Sequence, residues 1–177
     1  ADDSILELTK ARLPWLVLAL SGSFVAVKIA STFQGAMNDF PVVFFFTPLI
    51  AAMAGNVGVQ SSAIIVQGLA NNSLSGSLWK RLIKELLLSL LNGLFLAVLL
   101  LIGSHFIIGV EYLVGFTVAI SLVSVIILAA LIGTFIPITL NRFGIDPALA
   151  TGPFITTSND IFGILIYFSI AKIILGF

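Results

Sequence analysis

The sequence predicts an all-α integral membrane protein with five transmembrane helices per subunit. Of its 177 residues, 59% are hydrophobic and 9% are charged, and the mean hydropathy is +1.20. A globular domain carries about 25% charged residues. Five apolar runs are each long enough for a helix of about 20 residues to cross the ~30 Å hydrocarbon core of a bilayer. Short polar loops separate these runs, so helices that follow each other in the chain should be neighbours.

The first two spans are separated by a predicted turn. The first span is expected from about Leu13 to Ala36, with Pro14 in its first turn, where the missing N–H of proline does no harm. The sequence MNDFP predicts a break around Pro41. The second span is then expected from about Phe44 to Ala70, and the polar sequence NNSLSGS ends it.

The remaining spans and the loop charges predict an orientation. The third span is expected after the basic cluster Lys80, Arg81 and Lys84 as far as about Ser104, the fourth from about Glu111 to Leu140, and the fifth from about Pro147 to Gly176. Lys and Arg in short loops favour the cytoplasmic side. Six of them lie on the side that holds the N-terminus: Lys10, Arg12, Lys80, Arg81, Lys84 and Arg142. Lys172 lies near the other side. We therefore expect a multi-pass protein of the cell membrane with a cytoplasmic N-terminus and an outer C-terminus.

Composition argues against several functions. The formal net charge of zero leaves no basic patch for a nucleic-acid partner. The chain has no Cys, so disulfides and thiolate metal sites are excluded. The single histidine, His105, has no acid cluster near it in the sequence, and no Ser/His/Asp grouping is placed for catalysis. The sequence predicts a protein that is not an enzyme.

The fifth span contains the acid to which we assign the main role. Asp160 lies about 21 Å along a continuous helix from Asp146, which precedes Pro147 and is expected to cap the helix. A carboxylate at membrane depth is costly unless it faces a bundle interior, a partner or water, so it indicates a functional site. Pro153 interrupts the hydrogen bonds between the two acids and frees a backbone carbonyl, which can bind a cation beside a water-filled pore.

Polar and small residues of the fifth span recur at steps of three and four, which predicts one shared helical face. These residues are Pro153, Thr156, Thr157, Asp160, Gly163 and Tyr167, whereas Ile155, Phe162 and Phe168 form the opposite face, suited to lipid or core. A purely structural alternative is open for the threonines, whose hydroxyls can bond to the preceding turn. That alternative does not explain an acid on the same face.

The second span carries amides on one face. Asn56 and Gln60 are one helical turn apart, and Gln67 continues their face one heptad later. Small residues surround them: Gly55, Gly58, Ser61 and Ser62. Two interpretations are open. Either the span is a packing helix whose amides bond to neighbouring helices, or its amide and backbone oxygens line a pore and touch a hydrated cation.

Other charged residues have simpler explanations. Lys28 lies within reach of the outer interface, and we favour snorkelling over an ion pair with Asp160. Asp39 and Glu111 lie on the outer side, where they can form an entry for cations, although a solvated loop is the favoured interpretation.

Two motifs resemble those of a known family. The sequence PLIAAMAGNVGVQSS at 48–62 resembles the second-helix signature of the MgtE magnesium channels, and GTFIPITLNRFGIDPALATGPFITTSNDIFGILIYF at 133–168 resembles their fourth-to-fifth-helix signature. The resemblance implies a homodimeric Mg²⁺-permeable channel whose pore is lined by the second and fifth helices. It places the family's pore acid at Asp160 and the acid at the start of the fifth helix at Asp146.

The N-terminus departs from that family. Typical members carry a cytoplasmic helical domain and a pair of CBS domains that bind Mg²⁺ and close the pore. Here residues 1–12 are expected to form a cytoplasmic lead-in to a transmembrane pore domain at 13–177. Either the regulatory domains have been removed, as the missing initiator Met suggests, or this is a short member. Both alternatives argue against gating by the usual sensor.

The residues and the resemblance lead to one favoured mechanism. Mg²⁺ prefers octahedral oxygen, with one or two carboxylates and retained waters. The candidate metal-binding residues are Asp160, Asp146, Asn56, Gln60, Thr156 and Thr157. Across a two-fold axis, two copies of Asp160 can attract a hydrated dication, for which Mn²⁺, Co²⁺ or Ca²⁺ should compete. The alternatives are a proton-coupled divalent-cation transporter with Asp160 as carrier, and a structural subunit in which Asp160 pairs with Lys28.

Overall fold

The computed structural model describes residues 4–74 and 76–177, with all of their side chains except those of residues 36, 37, 149 and 150. Most of these described residues are helical, and none forms a β-strand. The helices are α1 (Ile5–Thr32), α2 (Gln34–Asp39), α3 (Pro41–Phe45), α4 (Thr47–Ala70), α5 (Leu78–Gly103), α6 (Tyr112–Arg142), α7 (Pro147–Ser158) and α8 (Ile164–Leu175), with π-helical turns at Ser104–Ile108 and Asn159–Gly163.

Five stretches of the described chain are long and apolar enough to cross a membrane. They are Ile5–Thr32, Pro41–Ala70, Leu78–Ile108, Tyr112–Arg142 and Thr151–Leu175. The predicted all-α fold with five spans is therefore confirmed, and the chain is a multi-pass membrane protein.

The first helix begins earlier than the sequence pattern predicted. Ser4 caps α1 by accepting a hydrogen bond from the backbone N–H of Glu7, and the Glu7 carboxylate accepts one from the backbone N–H of Ser4. This reciprocal capping box starts the helix at Ile5. Pro14 consequently lies inside α1, so its predicted place in the first turn is wrong. The first three residues of the predicted lead-in fall outside the described part of the chain.

The predicted break around Pro41 is confirmed. Phe40 leaves the helical conformation, with φ −135° and ψ 65°, and Pro41 opens the short helix α3. The backbone carbonyl of Val43, in that helix, accepts a hydrogen bond from the hydroxyl of the fully buried Tyr167. Tyr167 of α8 therefore supplies a hydrogen-bond partner to the interrupted backbone. An irregular backbone at membrane depth needs such a partner because lipid offers none.

The helix α6 forms the centre of the bundle. Half of its most apolar stretch is buried (50%), compared with 28% for the span that contains α4. The backbones of the two helices meet at Gly133 and Gly58, since a Cβ placed on Gly133 would lie 2.4 Å from the carbonyl oxygen of Gly58. Gly58 is one of the small residues of the second span, and its lack of a side chain permits this close approach.

Aromatic rings fill the core at the other end of these helices. Phe168 is fully buried, and its ring centroid lies 4.7 Å from that of Phe44 and 5.2 Å from that of Phe33. Ile155 is also fully buried, whereas Phe162 is 47% exposed. The predicted apolar face of the fifth span is thus divided between the core and the outer surface.

Candidate functional site

The fifth span is interrupted at the residue of greatest interest. Between α7 and α8, the backbone forms a π-helical turn over Asn159–Gly163, which contains Asp160. A π turn closes i to i+5 hydrogen bonds, so it accommodates an extra residue and changes the alignment of side chains on either side. Thr156 is exposed before the turn, and Tyr167 is 0% exposed after it. The prediction of one continuous polar face is wrong because it assumed an uninterrupted α-helix.

Asp160 is half-buried and contacts the first span. Its Oδ2 accepts a hydrogen bond from the hydroxyl of Ser23 in α1, at 3.4 Å. Within the described residues, no ion pair joins Asp160 to a Lys or Arg, and Lys28 is exposed. The structural alternative that pairs Asp160 with Lys28 therefore has no support from this geometry.

The contact with α1 depends on a glycine. A Cβ on Gly22 would lie 2.0 Å from the Cγ2 of Thr157, so only glycine permits this approach of α1 to α7. Thr157 faces this helix contact, and its Oγ1 is buried without a hydrogen-bond partner among the described residues. Sequence reasoning missed Ser23. The available signal was the run of small residues at 21–23 within an otherwise large and apolar span.

A second residue that sequence reasoning missed is Asn159. Its side chain is 4% exposed, and its Nδ2 donates a hydrogen bond to the backbone carbonyl of Ala54 in α4, at 3.0 Å. Its Oδ1 is buried and has no partner in the described part of the structure. Asn159 therefore joins the π turn to α4, next to the carboxylate that contacts α1. An amide adjacent to an intramembrane acid was a signal in the sequence.

The amides of the second span lie on the exposed face of α4, away from the rest of the bundle. Asn56, Gln60 and Gln67 are all exposed, whereas Ala54 and Gly58 are buried on the other side of α4. The predicted shared face of the amides is confirmed. These three amides are therefore exposed on the surface of a membrane helix. They do not contact the core of the chain, and lipid acyl chains would offer them no hydrogen-bond partner.

The exposed face of α7 carries Gly152 and Thr156. On either side of this face, Thr157 contacts α1, and Ile155 packs against Gly58 of α4. Asp160 follows Thr156 by about one helical turn. The exposed face of α7 therefore lies between α1 and α4, and Asp160 lies at the end of this face.

Asp146 lies at the opposite end of α7. It is exposed, its Oδ1 accepts a hydrogen bond from the backbone N–H of Ala148 at 2.9 Å, and Pro147 occupies the first turn. The predicted helix cap is confirmed. At ~1.5 Å per residue, the helix separates Asp146 from Asp160 by about 20 Å, so the two acids do not share one site within a subunit.

Two further acids lie at the end of the bundle away from Asp146. Asp39 and Glu111 line one cavity of about 510 Å³. His105 stacks on Tyr112, with ring centroids 3.9 Å apart, and its Nδ1 lies 3.1 Å from the carbonyl oxygen of Val110. No group of three His, Cys, Asp or Glu side chains in the described chain is placed to bind a metal directly. A cation recognised through its water shell does not need such a group.

Comparison with known proteins shows which family this chain is similar to. Residues 47–170 match the model of the MgtE family, described as a divalent cation transporter. The chain is 41% identical over 161 residues to the magnesium transporter MgtE of Bacillus subtilis, covering 90% of this chain and 36% of that protein. It is 35% identical over 166 residues to the magnesium transporter MgtE of Thermus thermophilus, covering 93% and 36%.

A third relative is similar to the whole length of the chain. The magnesium transporter MgtE of Enterococcus faecalis is 33% identical over 180 residues, covering 99% of this chain and 39% of that protein. The chain thus spans between 36% and 39% of the length of these curated relatives.

Proposed function

This chain belongs to the MgtE family of divalent cation transporters, and from that premise we propose that it conducts hydrated Mg²⁺ through a pore formed by two copies. The observation that carries the proposal is Asp160, a half-buried carboxylate at membrane depth that has no cationic partner in the described chain. The relatives named above are magnesium transporters, which supports Mg²⁺ as the transported ion.

The charge of the proposed site suits a dication. Mg²⁺ retains several of its waters and usually binds one or two carboxylates. Two copies of Asp160 across a two-fold axis supply two negative charges, which match one divalent ion better than they match Na⁺ or K⁺. Because dehydration of Mg²⁺ is costly, we propose that the carboxylates contact the ion through its water shell. Other divalent ions, such as Mn²⁺, Co²⁺ and Ca²⁺, compete on the same basis.

The second copy is proposed because of the exposed amides. Asn56, Gln60 and Gln67 form a polar stripe on the surface of a helix that crosses the membrane. A symmetric contact brings each stripe close to its copy and gives it water or amide partners instead of lipid. In this arrangement, Asn56 and Gln60 bind the water shell of the ion from α4, and Thr156 does so from α7.

The remaining candidate residues have different proposed roles. Asp146 is exposed at the end of α7 and attracts cations near that mouth of the pore by its charge. Thr157 faces α1 rather than the open side of α7, so we propose that it maintains the helix contact that places Ser23 beside Asp160.

Flux measurements in proteoliposomes test the proposal. Wild-type chain should conduct Mg²⁺ inward under a negative internal potential, which contributes about 2.3 kcal/mol per charge for each 100 mV. Asp160→Asn should abolish the flux while the dimer peak in size-exclusion chromatography persists. The matched control is Asp39→Asn, an exposed acid in the break before the second span, which should retain most of the flux.

The same vesicles distinguish a channel from a proton-coupled transporter. A channel follows the imposed potential and needs no proton gradient, whereas a proton-coupled carrier moves Mg²⁺ when a pH gradient is imposed at zero potential. Undiminished flux in Asp160→Asn would remove that residue from the ion path. Flux that depends on the pH gradient alone would replace the channel mechanism by the carrier mechanism.

A further inference from the structure

Two serine hydroxyls of the described spans donate to a carboxylate of another helix. One belongs to Ser23, which contacts Asp160 at the candidate site. The other belongs to Ser61 of α4, which donates to Oε1 of Glu85 in α5. The neighbouring Ser62 is also buried, but its hydroxyl donates to a carbonyl of its own helix. The contact between Ser61 and Glu85 has no role in the transport mechanism proposed above.

Glu85 lies inside the third span. Because α5 begins at Leu78, Glu85 is about 10 Å along the helix axis from the start of the helix. Its side chain is partly buried, and the serine that it contacts is 5% exposed. A carboxylate in a membrane span is costly unless polar groups face it, since lipid acyl chains offer no hydrogen bond. Ser61 supplies such a group from α4.

Three contacts hold one face of α4. Ala54, Gly58 and Ser61 follow each other at steps of four and three residues, so they share a face of this helix. The carbonyl of Ala54 accepts a hydrogen bond from the π turn, the backbone of Gly58 meets α6, and Ser61 donates to α5. These contacts with three neighbours fix the rotation of α4 about its axis.

The exposed side of α4 carries the amides that we propose to line the pore. Asn56 and Gln60 are exposed, whereas the three residues that hold the helix are buried. Gln60 directly precedes Ser61 in the chain, so a rotation of α4 that breaks the contact of Ser61 also moves the amide of Gln60. A side chain that resists this rotation therefore affects the recognition of the ion without touching it.

We propose that Glu85 is a positioning residue for transport, whose hydrogen bond with Ser61 fixes the rotation of α4 and thereby the place of Gln60 at the ion path. This inference rests on the proposed function, because it assumes that the polar stripe of α4 faces the ion. In this role the carboxylate acts as a hydrogen-bond acceptor, and its negative charge is not required. A neutral acceptor of the same shape should therefore replace it.

Mg²⁺ flux in proteoliposomes tests the role of Glu85. Glu85→Leu and Ser61→Ala each remove the hydrogen bond, so we expect the half-saturating Mg²⁺ concentration to rise about threefold to tenfold, the range that corresponds to one interhelical hydrogen bond. Glu85→Gln retains an oxygen acceptor for Ser61 and should keep the wild-type value. The double variant should be no worse than either single variant, because both remove the same bond. Ser62→Ala is the matched control and should equal wild type.

Labelling of an introduced thiol tests the rotation of α4 separately from transport. The chain has no Cys, so Gln60→Cys carries a unique thiol. Adding Glu85→Leu to this protein should change the rate of labelling by a water-soluble maleimide about threefold or more. Ser61→Ala gives the same test if Glu85→Leu does not fold. Glu85→Gln and Ser62→Ala should leave the rate unchanged.

The outcomes separate this inference from the proposed function. An unchanged labelling rate in Glu85→Leu and Ser61→Ala would overturn the positioning role, whatever the flux. Equal impairment of flux in Glu85→Gln and Glu85→Leu would also overturn it, because the charge of Glu85 would then matter rather than its hydrogen bond. If labelling changes as expected but Asp160→Asn conducts normally, the proposed function fails while the orientation of α4 by Glu85 stands.

Discussion

The hydroxyl of Ser23 lies 3.4 Å from Oδ2 of Asp160, although 137 positions separate the two residues in the sequence. Through this contact, the first transmembrane helix reaches the acid on which the proposed transport depends. The carboxylate is thereby in contact with one neighbour, α1, while the adjacent Asn159 is bonded to another, α4. The candidate site is thus assembled from three spans rather than from the two that sequence reasoning identified.

Removal of the Ser23 hydroxyl should weaken the interaction with Mg²⁺ without blocking transport. In Ser23→Ala, the carboxylate of Asp160 loses a hydrogen bond that orients it, so we expect the half-saturating Mg²⁺ concentration for flux to rise about threefold to tenfold. The maximal flux should change little. Ser23→Thr retains a hydroxyl and should restore the wild-type value.

Ser21 offers the matched control for that experiment. Its hydroxyl donates to the carbonyl of Val17 within α1, at 2.8 Å, and does not contact Asp160. Ser21→Ala should therefore have wild-type half-saturation. If Ser21→Ala and Ser23→Ala raise the half-saturating concentration equally, the effect belongs to α1 in general and not to the contact with Asp160.

The contact between α4 and α6 predicts a strong effect of one added methyl group. In Gly133→Ala, the new Cβ would meet the backbone carbonyl of Gly58, which cannot move aside as a side chain does. We expect a loss of about 1–3 kcal/mol of stability, measured by thermal unfolding in detergent. Gly55→Ala is the control, because a Cβ at Gly55 meets no atom within 4 Å. A melting temperature for Gly133→Ala equal to that of Gly55→Ala would contradict this packing.

Two asparagines should respond to substitution in opposite ways. Asn159→Ala removes a buried hydrogen bond to the carbonyl of Ala54 and should cost about 1–3 kcal/mol of stability. Asn56→Ala changes an exposed amide and should leave the stability of the subunit within about 0.5 kcal/mol while it reduces Mg²⁺ flux. Thermal unfolding and flux, measured on both variants, separate a structural amide from one that faces the proposed pore. Wild-type flux in Asn56→Ala would argue against the amide stripe as a pore wall.

The proposed second copy can be detected by cross-linking. The chain has no Cys, so each introduced thiol is unique. In membranes, a bifunctional thiol reagent should join Gln60→Cys subunits into dimers, because this position lies on the polar stripe proposed to face its copy. Val98→Cys, on an exposed apolar part of α5, should stay monomeric. Efficient cross-linking only at Val98→Cys would place the contact between copies elsewhere.

Local patterns in the sequence were sufficient for some of these features. The capping role of Asp146 follows from an Asp–Pro pair at a helix start, and the shared face of Asn56 and Gln60 follows from helical periodicity, since α4 is regular where they lie. Both features depend on residues within a few positions of each other.

Other features depend on contacts between distant segments. The π turn at Asp160 changes the alignment of Tyr167, and the hydroxyl of that tyrosine bonds to Val43, 124 positions away. The partner of Asp160 depends on the glycine contact between α1 and α7. Periodicity within a single span carries no information about either, so the single polar face predicted for the fifth span was wrong and Ser23 was missed.

The low burial of α1 has a mechanical consequence. Only 11% of its most apolar stretch is buried, so most of its side chains are exposed at the surface of the bundle. One of its contacts with the bundle lies in the middle, where Gly22 admits Thr157 and Ser23 meets Asp160. A tilt or shift of α1 relative to α7 therefore changes the distance between the hydroxyl of Ser23 and the carboxylate of Asp160.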